Sequence, residues 1–300
     1  MLRVFFDVVL PVFLVAILGG AVGRWKNLPV SAISTLVFYL FTPSLVFYSL
    51  STTEVSAGDA GRILAVMLFT FFCMFTASNL WSFARRHEAP MRAAVALGAT
   101  TPNVGNMGLP VSQLAFGAAG LDVAVMCFVI GSIMGNSVGI AIGSTANSGS
   151  KREALRAPLR FPAVYAAMAG VIVNVLSIDL PVAIDSPAKS LAGAAVPTML
   201  VVLGLQLRQA GGRDFLADTV AVNLARLLLA PASALLACVL LDVHGITRNA
   251  LIVASAMPTA VIATIVATEF KANPAFVTRI VVTSTIASMI SLSVLISLLQ

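Results

Sequence analysis

Thr100-Thr101-Pro102-Asn103-Val104-Gly105-Asn106-Met107-Gly108-Leu109-Pro110 lies inside an apolar run that extends from 91 to 116. Proline lacks the N–H that a helix interior needs, and glycine weakens a helix entropically, so this stretch cannot sustain a regular helix. Backbone groups freed in lipid cost several kcal/mol each. Such a break persists only where it lines a cavity or packs inside protein. A second interruption, Ala256-Met257-Pro258-Thr259-Ala260, lies in the apolar run 248–268. A matched pair of interrupted spans points to a binding site near the membrane midplane. Two half-helix N-termini aimed at one point offer unpaired N–H groups and positive dipole ends, which suit an anion. The competing reading is a simple helix kink. It is the stronger one for Pro11, Pro43, Pro162, Pro197 and Pro231, but Asn103 and Asn106 add polarity that kinking does not need.

The flanking sequence sets the solvent. Apolar residues make up 59% of the 300 positions and charged residues 10%, with a mean hydropathy of +1.00. A water-soluble domain carries about 25% charged residues, so lipid is the natural surroundings. A span needs roughly 20 residues, and apolar runs fall at 4–23, 28–50, 62–84, 91–116, 121–142, 161–178, 187–207, 215–241, 248–268 and 275–299. The first run lacks a small-x-small cleavage signal and carries Asp7, so it reads as a first span rather than a signal peptide. Cys73, Cys127 and Cys238 are scattered singly inside apolar runs with no metal spacing. The net charge of +6 does not indicate nucleic acid, because the basic residues sit in short connectors.

Those connectors orient the chain. Twelve Lys and Arg fall on one side: Arg24, Lys26, Arg85, Arg86, Arg92, Lys151, Arg152, Arg156, Arg160, Arg208, Arg213 and Lys271. Arg3, Arg62, Lys189 and Arg248 fall on the other. Basic flanks stay cytoplasmic, which predicts an inner-membrane protein with both termini extracytoplasmic. The halves also match. Pro11 with Gly19 corresponds to Pro162 with Gly170, Pro43 to Pro197, and Arg92 with Pro102 to Arg248 with Pro258, at offsets of 151, 154 and 156. The expected fold is all-α and integral to the membrane. It is a single domain over 1–300, with ten transmembrane helices as two inverted five-helix repeats, 4–142 and 161–299, joined by the 143–160 connector. Helices 4 and 9 are the broken pair. Inverted repeats are a transporter feature, since swapping the conformations of two related halves alternates access.

Single residues add to this. Arg226 lies mid-span, where a cation suits an anionic substrate; the alternative is a long side chain snorkelling or pairing with backbone carbonyls. Arg279 is expected to snorkel. No Asp or Glu lies deep in a span, since Asp7, Asp122 and Glu269 sit near predicted ends. That argues against a sodium–proton exchanger and leaves Gln113, Asn136 and Thr264 as weak ion ligands. Asn79, Asn174, Gln206 and Asn223 read as interhelical hydrogen-bond partners. Gly131, Gly135, Gly139 and Gly143 form a small-residue ridge for close packing in span 5 or for dimerisation.

The ten-span layout and the Pro-Asn-x-Gly-Asn-x-Gly-x-Pro stretch at 102–110 resemble the auxin efflux carrier family, which includes plant PIN-type carriers and bacterial malonate-transporter-like permeases. The resemblance covers essentially the whole chain. It implies a fold shared with bile-acid symporters, in which spans 4 and 9 cross. Spans 1, 2, 6 and 7 then form a scaffold, through which a homodimer is possible, and spans 3–5 and 8–10 a mobile core. It also implies an Asn beside each crossover proline, holding a substrate carboxylate. Asn103 matches in the first repeat, whereas Pro258 is followed by Thr259. The long hydrophilic loop of plant members is missing.

An enzyme would need a nucleophile or metal set, yet His87 and His244 lie in connectors on opposite sides and no HExxH or Cys cluster occurs. A channel would want a continuous polar path. The expected function is therefore a secondary transporter of small organic anions, carboxylates such as malonate, malate or auxin-like acids, without cofactor or metal. A site of Pro102, Asn103, Gly105, Asn106, Pro258, Thr259 and Arg226 is expected. A sodium-coupled symporter of the bile-acid type or a channel is the alternative, and coupling to Na+ or H+ stays open.

Overall fold

The computed structural model describes residues 2–53, 56–135, 140–144, 162–206 and 216–300, and every regular element among them is helical. In chain order these are α1 (Leu2–Trp25), α2 (Val30–Thr52), α3 (Ala57–Ala84), α4 (Ala89–Thr100), α5 (Val104–Met134), α6 (Ile140–Ser144) and α7 (Pro162–Val175). They continue with α8 (Val182–Gln206), α9 (Leu216–Leu240), α10 (Gly245–Ser255), α11 (Ile262–Glu269) and α12 (Pro274–Leu299). Seven of these, α1, α2, α3, α5, α8, α9 and α12, are long and apolar enough to cross a membrane. Their outer faces carry exposed Leu14, Ile17, Leu18, Leu235, Leu236 and Ile290. An apolar surface of that extent belongs in lipid. The chain is a multi-pass membrane protein.

Both expected interruptions are present, and each divides its apolar run between two helices, α4 and α5 at the first and α10 and α11 at the second. Pro102 disfavours the α region for the residue before it. Thr101 accordingly leaves the helix at φ −109°, ψ 85°, and α4 stops at Thr100. Ahead of Pro258, α10 ends at Ser255, with Ala256 as its C-cap. The break expected between 116 and 121 is no loop. It is one residue, Gly117, at φ 68° inside α5. A Cβ there would meet nothing within 4 Å, so the backbone angle and not space demands glycine.

Among the described residues, four complete turns widen to π geometry: Phe5–Val9, Val37–Phe41, Val104–Gly108 and Ala225–Leu229. In each, the closing N–H reaches back five residues: Leu10 to Phe5, Thr42 to Val37, Leu109 to Val104 and Ala230 to Ala225. The residue after each closing N–H is a proline, Pro11, Pro43, Pro110 or Pro231. A proline ring crowds the carbonyl one turn back and offers it no N–H; an extra residue in that turn relieves the clash. Pro162 instead opens α7, and Pro197 lies inside α8.

Two crossings bring backbones into contact. Where α1 meets α8, a Cβ on Gly204 would stand 1.7 Å from the Ala16 carbonyl oxygen, and one on Gly19 would stand 2.7 Å from Val201 Cα. Where α7 meets α2, a Cβ on Gly170 would stand 2.7 Å from the Phe47 carbonyl oxygen. Only glycine permits such approach.

Arg279 departs from its expected snorkelling. It is 8% exposed, and its Nε and Nη1 have no hydrogen-bond partner. Asp218, near the start of α9, is 2% exposed. It accepts from Trp81 Nε1 at 2.9 Å and lies 3.3 Å from His87 Nε2 and 3.6 Å from Arg85 Nε. Asn174 donates to the carbonyls of Ser51 and Thr53, and Asn223 to Thr283 Oγ1 at 2.9 Å. Asn79 bonds within its own helix, to Phe75. Asn136, Gly139, Arg208, Arg213 and the connector basic residues Lys151, Arg152, Arg156 and Arg160 lie outside the described residues.

Candidate functional site

The two interruptions meet. The Asn103 N–H donates to the Pro258 carbonyl at 2.7 Å and the Ala260 N–H to the Thr101 carbonyl at 2.8 Å, so that Pro102 and Thr259 pair as a short antiparallel bridge. Each break thus supplies hydrogen-bond partners to the other, which removes much of the penalty for unwound backbone inside a membrane. Thr259 is fully buried and fastens the strap. Its hydroxyl donates to the Gly98 carbonyl at 2.7 Å, and its N–H donates to Ser284 Oγ at 3.1 Å.

Two cavities flank the crossover. The larger, about 250 Å³, is lined by Pro102, Asn103, Gly105 and Asn106 of the first break and by Ala260, Val261 and Ile262 at the start of α11. α2 contributes Phe38 and Thr42, α5 contributes Phe128, and α8 contributes Met199 and Gln206. α5 starts at Val104 and α11 at Ile262. The first N–H groups of a helix have no intrahelical acceptor, and each N-terminus carries about half a positive elementary charge. Asn103 occupies the N-cap position of α5, but its side chain makes no capping bond. It is 5% exposed, and its Nδ2 has no hydrogen-bond partner. A buried donor left unmatched costs about 1–3 kcal/mol. An acceptor that reached Nδ2 from the cavity Asn103 lines would remove that penalty. Asn106 Nδ2 donates to Gln206 Oε1 at 3.3 Å and ties this wall to α8. Among the described residues, no charged side chain lines the larger cavity.

The smaller cavity, about 50 Å³, is lined by Thr100 at the end of α4, Ala254 and Ser255 at the end of α10, Arg226 of α9, and Pro102 and Val104 of the first break. Arg226 is 2% exposed. Its Nη1 donates to the Ala99 carbonyl at 2.5 Å, Nη2 to Ser255 at 2.5 Å and Nε to Met257 at 3.2 Å. The guanidinium therefore binds the closing carbonyls of both first half-helices.

The structure brings all seven expected site residues to the crossover but not into one pocket. Asn103, Gly105 and Asn106 line the larger cavity; Pro102 lines both cavities and pairs with Thr259, beside Pro258, in the strap; Arg226 borders the smaller cavity. Gln113 and Thr264 line neither. Phe38, Phe128 and Met199 are lining residues that the sequence did not single out, because an aromatic or methionine in an apolar run carries no distinguishing signal. Gln206, read as an interhelical partner of another helix, is that and a lining residue as well.

A family model described as membrane transport protein matches residues 4–154 and 146–296. The chain is 28% identical over 290 residues to an uncharacterized transporter of Methanothermobacter thermautotrophicus, with 95% of each protein covered. It is 23% identical over 275 residues to an uncharacterized transporter of Methanocaldococcus jannaschii, covering 88% of this chain and 89% of that protein.

Proposed function

The chain belongs to the membrane transport protein family, that of the auxin efflux carriers, and on that premise we propose that it is a secondary carrier of small organic anions, carboxylates such as malonate, malate or auxin-like acids. The observation that carries this reading is that Asn103, whose buried side-chain Nδ2 has no hydrogen-bond partner, lines a cavity into which two helix N-termini open. A carboxylate there would accept from Nδ2 and from backbone N–H groups, and would meet positive helix ends.

The walls narrow the substrate class. Away from the crossover, Phe38, Phe128, Met199 and Ile265 offer apolar surface. A second carboxylate would be desolvated without a charged partner, at a cost of several kcal/mol. An acid with one carboxylate and an apolar body suits the cavity better than a dicarboxylate.

Alternating access is supported by where the cavity lies. One wall is the crossover of α5 and α11, and the other is α2 and α8. On the ten-span reading, α4 with α5 up to Gly117 makes span 4, the rest of α5 with α6 makes span 5, and α10 with α11 makes span 9. The cavity then sits between scaffold spans and core spans, where relative movement would expose it to each side in turn. Inverted repeats are supported by one contact made twice. Gly19 meets Val201 and Gly170 meets Phe47, and these pairs are related by the sequence offsets of 151 and 154. Basic connectors on one side support an inner-membrane orientation with both termini outside.

The test uses purified protein and a matched ligand set: an aromatic monocarboxylate, its primary amide, and malonate. The acid is expected to raise the unfolding midpoint, malonate to do so less, and the amide not at all. Uptake of the acid into proteoliposomes should saturate and should be accelerated by the same acid on the far side. Failure of every carboxylate to shift the midpoint would overturn the anion reading, and non-saturating flux would overturn the carrier reading.

A further inference from the structure

The carbonyl ends of α4 and α10 converge on a single side chain. A helix C-terminus carries about half a negative elementary charge, so two of them meeting in a dry interior amount to roughly one uncompensated negative charge. Paired broken helices commonly present such ends and unwound carbonyls to a coupling cation. Here the carbonyls of Ala99, Ser255 and Met257 all accept from Arg226. The side chain is 2% exposed and reaches them from a π-helical turn of α9, in which one extra residue is packed.

We propose that Arg226 is a resident cation. Its guanidinium occupies a monovalent-cation site built from the ends of the two first half-helices, and by neutralising them it holds the strap in the shape that presents Asn103 to the substrate. The proposal rests on the anion-carrier reading of the larger cavity. Arg is suited to the task because its planar fork presents several donors at fixed spacing and it stays charged. The space left beside it, about 50 Å³, is room for water. A free cation there would have to share carbonyls already engaged, and would place a second positive charge next to the first. Thr70 borders that space with an unpartnered, buried hydroxyl, and among the described residues no carboxylate lines it.

A plain structural staple and a resident cation differ in what an emptied site does. Arg226→Ala is assayed for binding of the aromatic monocarboxylate in choline, sodium and guanidinium chlorides, each at about 10 mM, a concentration at which a weak ligand of the folded state already registers. In choline the variant is expected to bind the acid at least about tenfold more weakly than wild type, a loss of about 1.4 kcal/mol. Guanidinium should restore most of that binding, sodium part of it, and the wild type should be indifferent to the cation. Undiminished binding by the variant in choline overturns the proposal, as does a loss that no cation repairs. Should Arg226→Ala fail to fold, Arg226→Lys and Arg226→Gln decide: the charged variant should keep binding in choline and the neutral one lose it, and equal behaviour overturns the proposal. If the wild type binds no carboxylate under any cation, the anion reading falls. The cradle is then still tested by whether guanidinium raises the melting midpoint of Arg226→Ala and not that of wild type.

Discussion

Asn103 donates its backbone N–H to the carbonyl of Pro258 at 2.7 Å, while the Nδ2 of its buried side chain donates to nothing. The backbone bond is available to any residue except proline, so the strap does not depend on the amide. Asn103→Ala removes an unmatched polar group, and its stability should fall by no more than about 1 kcal/mol. The midpoint shift given by the aromatic monocarboxylate should vanish. Asn103→Asp places a second carboxylate beside the first and should bind no better than alanine. Wild-type affinity in Asn103→Ala, measured by thermal shift, would remove Asn103 from the site.

Thr259 gives the opposite pattern. Its hydroxyl is spent on the Gly98 carbonyl at 2.7 Å, and the residue lines neither cavity. Thr259→Val keeps the shape and loses that bond, at a cost of about 0.5–1.5 kcal/mol. Affinity for the carboxylate should stay within about threefold, since the backbone bridge to Pro102 survives. A loss of binding without a loss of stability would show that Thr259 touches the substrate after all.

The broken pair was legible because its residues are chemically incompatible with a helix: Pro102, Gly105 and Pro110, and then Pro258, announce an interruption without any neighbour being known. What the prolines do to the helix was less legible. Pro11, Pro43 and Pro231 read as kinks, and the structure resolves them as turns widened by one residue, a choice that depends on which carbonyl the wider turn can reach. Arg226 stood out as a mid-span charge with backbone carbonyls as one expected partner, but which carbonyls, those of Ala99, Ser255 and Met257, has no signature in a sequence. A break between 116 and 121 was legible as a gap between two apolar runs, but that a single glycine, Gly117 at positive φ, makes it was not. The cavity walls from α2 and α8 were invisible for a different reason: they depend on how distant helices dock, which apolar periodicity does not encode.

Gly105 controls the width of the larger cavity. A Cβ on it would stand 2.8 Å from Phe128 Cε2, an edge of a side chain and not backbone. Gly105→Ala should therefore fold, with the ring displaced, and should bind the aromatic monocarboxylate about tenfold more weakly because the shared wall has moved. Adding Phe128→Leu removes the clash. The double variant should recover binding relative to Gly105→Ala, a coupling that separate, independent sites would not show. Additive losses in the cycle, read from dissociation constants, would mean that the two residues do not share a wall.

Gly204 and Gly193 lie on the same helix and separate close approach from propensity. A Cβ on Gly204 would be 1.7 Å from the Ala16 carbonyl oxygen and 2.6 Å from its carbon, while one on Gly193 meets nothing within 4 Å. Alanine favours a helix over glycine by about 1 kcal/mol, so Gly193→Ala should be neutral or slightly stabilising. At Gly204 the same gain is overwhelmed, because a carbonyl on a packed helix cannot give way by more than an ångström without parting α1 from α8. Overpacking of this kind costs about 1–3 kcal/mol and sometimes more, so Gly204→Ala should lower the unfolding midpoint in detergent while Gly193→Ala does not. Gly170, whose Cβ would meet the Phe47 carbonyl oxygen at 2.7 Å, should behave like Gly204, since its helix α7 is pressed against α2 in the same way. Equal tolerance of alanine at Gly204, Gly170 and Gly193 would mean that the two crossings are looser than their backbone contacts imply.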